Sequence, residues 1–465
     1  MLNLRIRQTC VTLSLLLSLA LSGCSGWAGS APQAEPVERQ AEIAVREEVV
    51  TSTEAEAPAA PPVLAGKADM AADAAVESAP MPYATAALEM AESDGVVRPA
   101  PQQVESLKAG EVDDNAQWDD YLLYRRNYYG PQIHDRDISE RYLVEVTDEQ
   151  GNPVLGAQVR FFLPGQERLE IYRAHTPANG QVLFHPLALG QQPLAGVDHF
   201  IVEVEQEQQL KQFNLARFEA QASTAFTERW TVALDLDQSL ESLDLDLLFL
   251  VDATGSMSDE IAKIQSTIFD VADQIDALPE RPNARYGLVT YRDRGDSFVA
   301  KTYEFTPDVR DFAQNLNTVF ADGGGDYPES LNEGLHHALH SVEWRGPGTV
   351  QLIFLIADAP PHLDYDQDYD YAVEMERAAQ QGIKIFPIAS SGLDDQGEYI
   401  FRQLAQYSQG RFIFLTYAGP TNGGAPGETT THHVDDYSVE NLDDLLVRLV
   451  TEELAHQRPH FAQVQ

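Results

Sequence analysis

The stretch LFLVDATGSMSDE, Leu248 to Glu260, carries the residues most suited to chemistry. Four apolar residues end at Asp252, and Thr254 and Ser256 follow on alternating positions. Two further segments offer oxygen ligands in the same way. GGGDYPES contains Asp326 and Glu329 behind three glycines, which free the backbone to bend. LIFLIADAPPH places Asp358 directly after an apolar run. Carboxylates and hydroxyls are hard donors that suit Mg²⁺, Mn²⁺ or Ca²⁺ rather than zinc. Asp252 and Ser256 could instead only cap a helix. Three such segments at strand ends favour a metal site over three separate caps.

Ligands in an open parallel sheet sit beyond the carboxyl ends of its strands, so the elements around these segments matter. From Leu243 onward, strand-like and helix-like patterns alternate. LDLLFLV, ARYGLVTY, TVQLIFLIA, IKIFPIAS and RFIFLT read as strands, and DSFVAKTYEF as an edge strand. Ile261, Ile264, Ile268, Val271, Ile275 and Leu278 step by three and four, the spacing of an amphipathic helix. Pro328 suits the first turn of another helix. The expectation for residues 243–455 is a doubly wound α/β (Rossmann-like) domain with helices on both faces.

Upstream, residues 118–237 show short alternating strands with turn signals roughly every ten residues, which suggests an all-β sandwich. Trp118–His134 is expected to pack onto it. His134, His175, His185 and His199 are scattered singly and read as surface or turn residues. Residues 24–117 are Ala/Glu/Pro-rich with few aromatics and read as a disordered linker. The chain is therefore multidomain. Its start, with Arg5 and Arg7 before a short apolar run, reads as a signal peptide over residues 1–23.

The chain has 465 residues and a formal net charge of −42. Such a field repels phosphates, which argues against nucleic acid as a partner and in favour of cations. Loss of residues 1–23, with two positive and no negative charges, would take −42 to −44. Cys10 would leave with that segment, so the mature chain would hold no disulfide.

Several segments resemble known families. DATGSMSDE resembles the metal-ion-dependent adhesion site (MIDAS) of von Willebrand factor type A domains, over roughly Leu243–Leu454. On that resemblance Asp252, Thr254 and Ser256 take the first-loop roles, with threonine in place of the usual serine, and Asp358 takes the last-loop role. GGGDYPES departs from the usual distant threonine and resembles the A-like domain of integrin β subunits. There Glu329 would be the direct or water-mediated ligand, with Asp326 as second choice. Asp259 and Glu260 match the acidic pair of an adjacent calcium site in the same integrin domain. The implied action is non-covalent: a metal bridges the domain to an Asp or Glu carboxylate of a partner protein. VTDEQGNPVLGAQVRF with TPANGQVLF resembles a carboxypeptidase regulatory-like or transthyretin-like sandwich. LSGC, Leu21–Cys24, resembles a bacterial lipobox, implying lipidation of Cys24, and Ser25 implies outer-membrane sorting. Membrane contact would then run through the lipid anchor, with the protein in the cell envelope on the periplasmic face or surface.

Other features read as structural. Leu363–Glu376 has Asp364, Asp366, Asp368 and Asp370 but lacks the glycine and final glutamate of a calcium loop, so it reads as a solvated acidic rim. His336 and His340 lie one turn apart on the face opposite Leu331, Leu335, Leu339 and Val342. They are expected to point to water, with no third ligand visible. Thr421–His433 reads as a flexible loop. A Mg²⁺-dependent hydrolase of the haloacid dehalogenase type would need Asp-x-Asp, and here the run is Asp252-Ala253-Thr254. The chain is read as no enzyme. The alternative to adhesion or envelope assembly is a passive scaffold with a structural metal.

Overall fold

The computed structural model describes residues 106–458, apart from 166–167, 191–193, 218–225, 237–241 and 420–423. The expected signal peptide, Cys24 and nearly all of the expected linker lie outside the described residues. Strand β1 (Lys108–Val112) and helix α1 (Trp118–Arg126) come first. Seven strands follow: β2 (Glu140–Thr147), β3 (Gln158–Leu163), β4 (Leu169–His175), β5 (Gln181–Phe184), β6 (His199–Gln206), β7 (Gln209–Ala216) and β8 (Phe226–Ala233). They form a three-stranded sheet, β5-β2-β8, and a four-stranded antiparallel sheet, β4-β3-β6-β7. Tyr142, Phe161, Phe184 and Phe200 meet in one apolar core drawn from both sheets, with the Phe161 and Phe184 rings 4.0 Å apart.

The remaining chain alternates β9 (Asp244–Asp252), α2 (Ile261–Asp276), β10 (Asn283–Tyr291), β11 (Ala300–Thr306), α3 (Val309–Leu316), α4 (Leu331–His340), β12 (Val350–Ala357), α5 (Tyr371–Gln381), β13 (Lys384–Ala389), α6 (Asp395–Ser408), β14 (Phe412–Thr416), β15 (Val439–Asn441) and α7 (Leu442–Gln457). Eight strands make one mixed sheet, ordered β11-β10-β9-β12-β13-β14-β1-β15. The five central strands run parallel and the edges antiparallel. All eight residues of β12 are buried, as a strand covered on both faces requires. The predicted stripe of α2 holds: Ile261, Ile264, Ile268, Val271 and Ile275 are all buried against the sheet. No helix among the described residues is long and apolar enough to cross a membrane.

Two segments differ from expectation. Lys108–Val112, read as linker, is a sheet strand paired with β14 and β15. Leu107, Ala109 and Val112 are buried, and a side chain at Gly110 would collide with the Phe414 ring at 2.7 Å. Five residues are too few to alter the average composition of a long Ala/Pro-rich region, so the strand was hidden there. The seven-stranded part is thus inserted between the first strand of the mixed sheet and the rest of it. Helix α1, expected to pack on the seven-stranded part, meets it through Trp118, whose ring stacks on His185 and lies 4.1 Å from the Arg141 guanidinium, but it also buries Tyr121 in the core of the mixed-sheet domain, and Arg125 donates to the Tyr399 hydroxyl of α6. His185, read as a surface or turn residue, is buried. Desolvation and the nearby Arg141 charge push its imidazole down to about 3, so it is neutral.

Candidate metal centre

The register of the mixed sheet brings the first and last segments together. Strand β9 lies between β10 and β12, and Asp252 pairs with Tyr291 while Val251 pairs with Ile356. Asp252 therefore leaves the sheet close to the level at which Asp358 leaves β12. Both are buried. The Asp252 Oδ1 accepts hydrogen bonds from the Thr254 amide at 2.9 Å and the Thr254 hydroxyl at 2.7 Å. Thr254 Oγ1 lies 3.1 Å from Ser256 Oγ. Gly255 opens a 3₁₀ turn, and its amide donates to the Gly323 carbonyl. The first loop is thus sewn to the glycine loop.

That glycine loop is held from two sides. The buried Arg292 guanidinium donates to the Phe320 carbonyl at 2.9 Å, and Asp296 Oδ2 accepts from the Gly324 amide at 2.8 Å. Gly323 and Gly324 have φ of 79° and 66°, where a side chain is strained. Glu329 is pinned beside the third loop: its amide donates to the Pro360 carbonyl, and its own carbonyl accepts from the His362 amide. Pro328 lies ahead of the helix rather than in its first turn, because α4 begins at Leu331.

One oxygen of each of the three carboxylates at this place lacks a donor. Asp252 Oδ2, Glu329 Oε2 and Asp358 Oδ1 are all buried without a hydrogen-bond partner. Burial, then the Asp358 charge, pushes the Asp252 carboxyl up, and Thr254 only partly offsets this. Burial also raises Asp358, against the Ser256 hydroxyl, and the Glu260 charge adds to the rise. Glu329 is pushed up to about 9, by burial and then by the charges of Asp252, Asp293, Asp358 and Asp296. Carboxylates gathered in low dielectric with no basic partner need a cation or a proton. The donor set fits a hard divalent ion: hydroxyls of Thr254 and Ser256, with carboxylates of Asp252, Asp358 and Glu329 around them.

The other expected residues are placed elsewhere. Asp326 is exposed and groups with Asp293 and His362 within 4.8 Å, not with Asp252. Asp259 is exposed. Glu260 is buried and already used, accepting from the Tyr417 hydroxyl at 2.8 Å and facing the Ser391 amide at 3.4 Å. The acidic rim is less solvated than expected, since Asp368 accepts from Arg294 and Asn332 and Asp370 caps α5. Asp293 and Asp296 were missed, although their signal was the same as for Asp252: both closely follow the end of a buried strand, β10.

Residues 246–417 match the family model described as von Willebrand factor A domain. The C-terminal part of this chain carries a von Willebrand factor A domain. Within curated proteins, it is similar to the alpha-protein kinase vwkA of Dictyostelium discoideum, 32% identical over 119 residues, which are 25% of this chain and 19% of that protein. It is also similar to human von Willebrand factor A domain-containing protein 7, 38% identical over 117 residues, which are 25% of this chain and 12% of that one. This chain thus spans less than a fifth of either relative. A solved structure, proximal thread matrix protein 1 from the mussel byssus with zinc occupied MIDAS motif, aligns at 16% identity and a TM-score of 0.27, covering 34% of this chain and 41% of that one.

Gly324 gives the domain a sensitive test point. A Cβ there would stand 2.7 Å from Glu329 Oε1 and 3.4 Å from the Thr254 Cβ. Gly324→Ala is expected to weaken divalent-ion affinity by about tenfold or more, as misplacing a ligand's support does. Isothermal titration with Mn²⁺ reads this directly, and unchanged affinity would mean that Glu329 and Thr254 do not serve the ion.

Proposed function

We propose that this von Willebrand factor A domain holds a divalent cation, Mg²⁺, Mn²⁺ or Ca²⁺, at Asp252, Thr254, Ser256, Asp358 and Glu329. Through that cation it grips an Asp or Glu carboxylate of a partner protein. The observation that carries the reading is the set of buried acceptors with no donor on Asp252, Asp358 and Glu329. Ser256 is exposed, so the ion would face solvent on the side where a partner arrives. The chain's residues bind and orient the ion; its role is to supply a positive centre for the incoming carboxylate. No covalent step is required, and the protein acts as an adhesion or envelope-assembly module rather than an enzyme. Lipidation at Cys24 would tether it to a membrane, and the seven-stranded part, read as a sandwich, would stand beside the binding domain.

Thermal unfolding of the whole chain, titrated with each cation beside Asp252→Ala, tests this. An ion that binds only the folded state adds about 2.7 kcal/mol at a hundredfold excess over its dissociation constant. That gain is expected in the natural protein and absent in Asp252→Ala. Equal gains in both proteins would sink the site. A gain in the natural protein alone, with no retention on carboxylate-bearing resin, would leave a structural metal and refute the partner role.

A further inference from the structure

Helices α4 and α5 carry a second group of metal-competent side chains, away from the strand ends. His336 and His340, expected to point to water, instead face Glu374 of α5. His336 Nδ1 lies 3.0 Å from Glu374 Oε1, and His340 Nε2 lies 2.9 Å from Glu374 Oε2. All three ligand atoms fall within 4.8 Å of one another. The third ligand was invisible in the sequence because it comes from another helix, 34 residues beyond His340.

Four observations distinguish this group from a chance surface cluster. Its carboxylate is buried, with a side chain only 4% exposed, while the imidazoles are 22% and 29% exposed. Its only hydrogen-bonding partners among the described side chains are those imidazoles, and no arginine or lysine pairs with it directly. Tyr369 stacks on His336 with ring centres 3.5 Å apart, which fixes the orientation of that ring. The fourth observation concerns His340 Nε2, which also lies 3.1 Å from an Arg377 nitrogen. Guanidinium can only donate and requires a lone pair on Nε2, whereas ionised Glu374 can only accept and requires a proton there. No tautomer satisfies both contacts. The Arg377 contact is met when Nε2 carries a lone pair, the form in which imidazole ligates a cation; a cation seated there would displace Arg377 into solvent, where its contact with His340 already lies.

We infer that His336, His340 and Glu374 form a site for a borderline transition-metal ion of the zinc class, joining α4 to α5. Two imidazoles and one carboxylate are a zinc-type donor set, whereas the hydroxyls and carboxylates at the strand ends favour hard ions. Tetrahedral ligation spaces donor atoms by roughly 3.3 Å at zinc–nitrogen distances near 2.0–2.1 Å, so the observed 2.9 and 3.0 Å separations need only small side-chain adjustments. Water or a fourth donor completes the shell from the exposed side.

The test uses the whole chain, stripped with chelator, in an Asp252→Ala background. That substitution silences the strand-end site, so failure of the adhesion reading leaves this one untouched. Zinc is titrated against a chromophoric chelator. One equivalent is expected to bind, and His336→Gln or His340→Gln is expected to weaken it at least about tenfold, the loss that even an outer-shell partner costs. X-ray absorption of the zinc-loaded Asp252→Ala protein is expected to show two imidazole ligands, a readout that needs no histidine variant to fold. Unchanged zinc affinity in both histidine variants, or a spectrum with fewer than two imidazoles, overturns the site.

Discussion

In metal-free protein, the free energy of unfolding is expected to fall as pH rises from about 4 to about 9, and saturating Mg²⁺ is expected to remove most of that fall. The sign follows from three carboxyls. Burial raises Asp252, Asp358 and Glu329 above their ordinary values, and neighbouring carboxylates add to it: Asp358 for Asp252, Glu260 for Asp358, and Asp252 with Asp293 for Glu329, which reaches about 9. In the unfolded chain the same groups ionise near their ordinary values, about 4. Between the two ranges the folded state holds more protons than the unfolded one, so stability declines with rising pH. Below the unfolded values no penalty exists, and above the folded values it is complete. A tenfold change in proton affinity between the two states is worth about 1.4 kcal/mol, so the total decline amounts to several kcal/mol. A bound cation takes the place of the protons and holds the carboxylates ionised in both ranges. Urea unfolding at about pH 5, 7 and 9, with Mg²⁺ and with chelator, measures both curves. Asp252→Asn should flatten the metal-free curve in part. A metal-free protein equally stable across that range would show that these carboxylates already have countercharges.

How much of this was legible in the sequence differs between elements. The buried strands β9 and β12 and the stripe of α2 announce themselves, because hydrophobic period and length are local properties. Asp252 and Asp358 were legible for the same reason: an acid directly beyond a buried strand has one place to go in a parallel sheet. Glu329 required the glycine loop before it and a family resemblance. Asp326 could not be placed from sequence, since only the fold shows that it turns toward Asp293 and His362 rather than Asp252. Glu260 illustrates a different limit. It has the residue type and position of a ligand, but a hydroxyl from just beyond β14, that of Tyr417, already occupies it. Partners that come from distant segments were unreadable throughout, Glu374 for the histidine pair among them.

The strand and turn before α1 were the largest omission, and they predict the largest effect of a substitution. Asp114 follows β1 and is buried, with its side chain 1% exposed. Arg402 of α6 donates to both of its oxygens, at 3.0 and 2.6 Å. The same guanidinium donates to the His433 carbonyl at 2.9 Å and lies 3.9 Å from the centre of the Tyr124 ring in α1. Burial raises the Asp114 carboxyl despite this pairing, which marks how much its charge depends on Arg402. Nearby Glu398 shows the opposite balance. Burial pulls its carboxyl up, but hydrogen bonds from His432 and His433 and the Arg402 charge outweigh burial and hold it down to about 2. Arg402→Met would leave the Asp114 charge buried without its partner, which is expected to cost about 3–5 kcal/mol. Adding Asp114→Leu removes the stranded charge, so the double variant should recover much of that loss, with a coupling of about 1–3 kcal/mol. Guanidinium chloride unfolding of the four proteins in the cycle measures it. A residue in a loose linker could not respond in this way. A loss below about 1 kcal/mol for Arg402→Met would return residues 108–117 to the linker. The expected loss would instead make β1 the first strand of the von Willebrand factor A domain, with its partner helix α1 and its ion pair to α6 as the latch that closes the sheet behind the seven inserted strands.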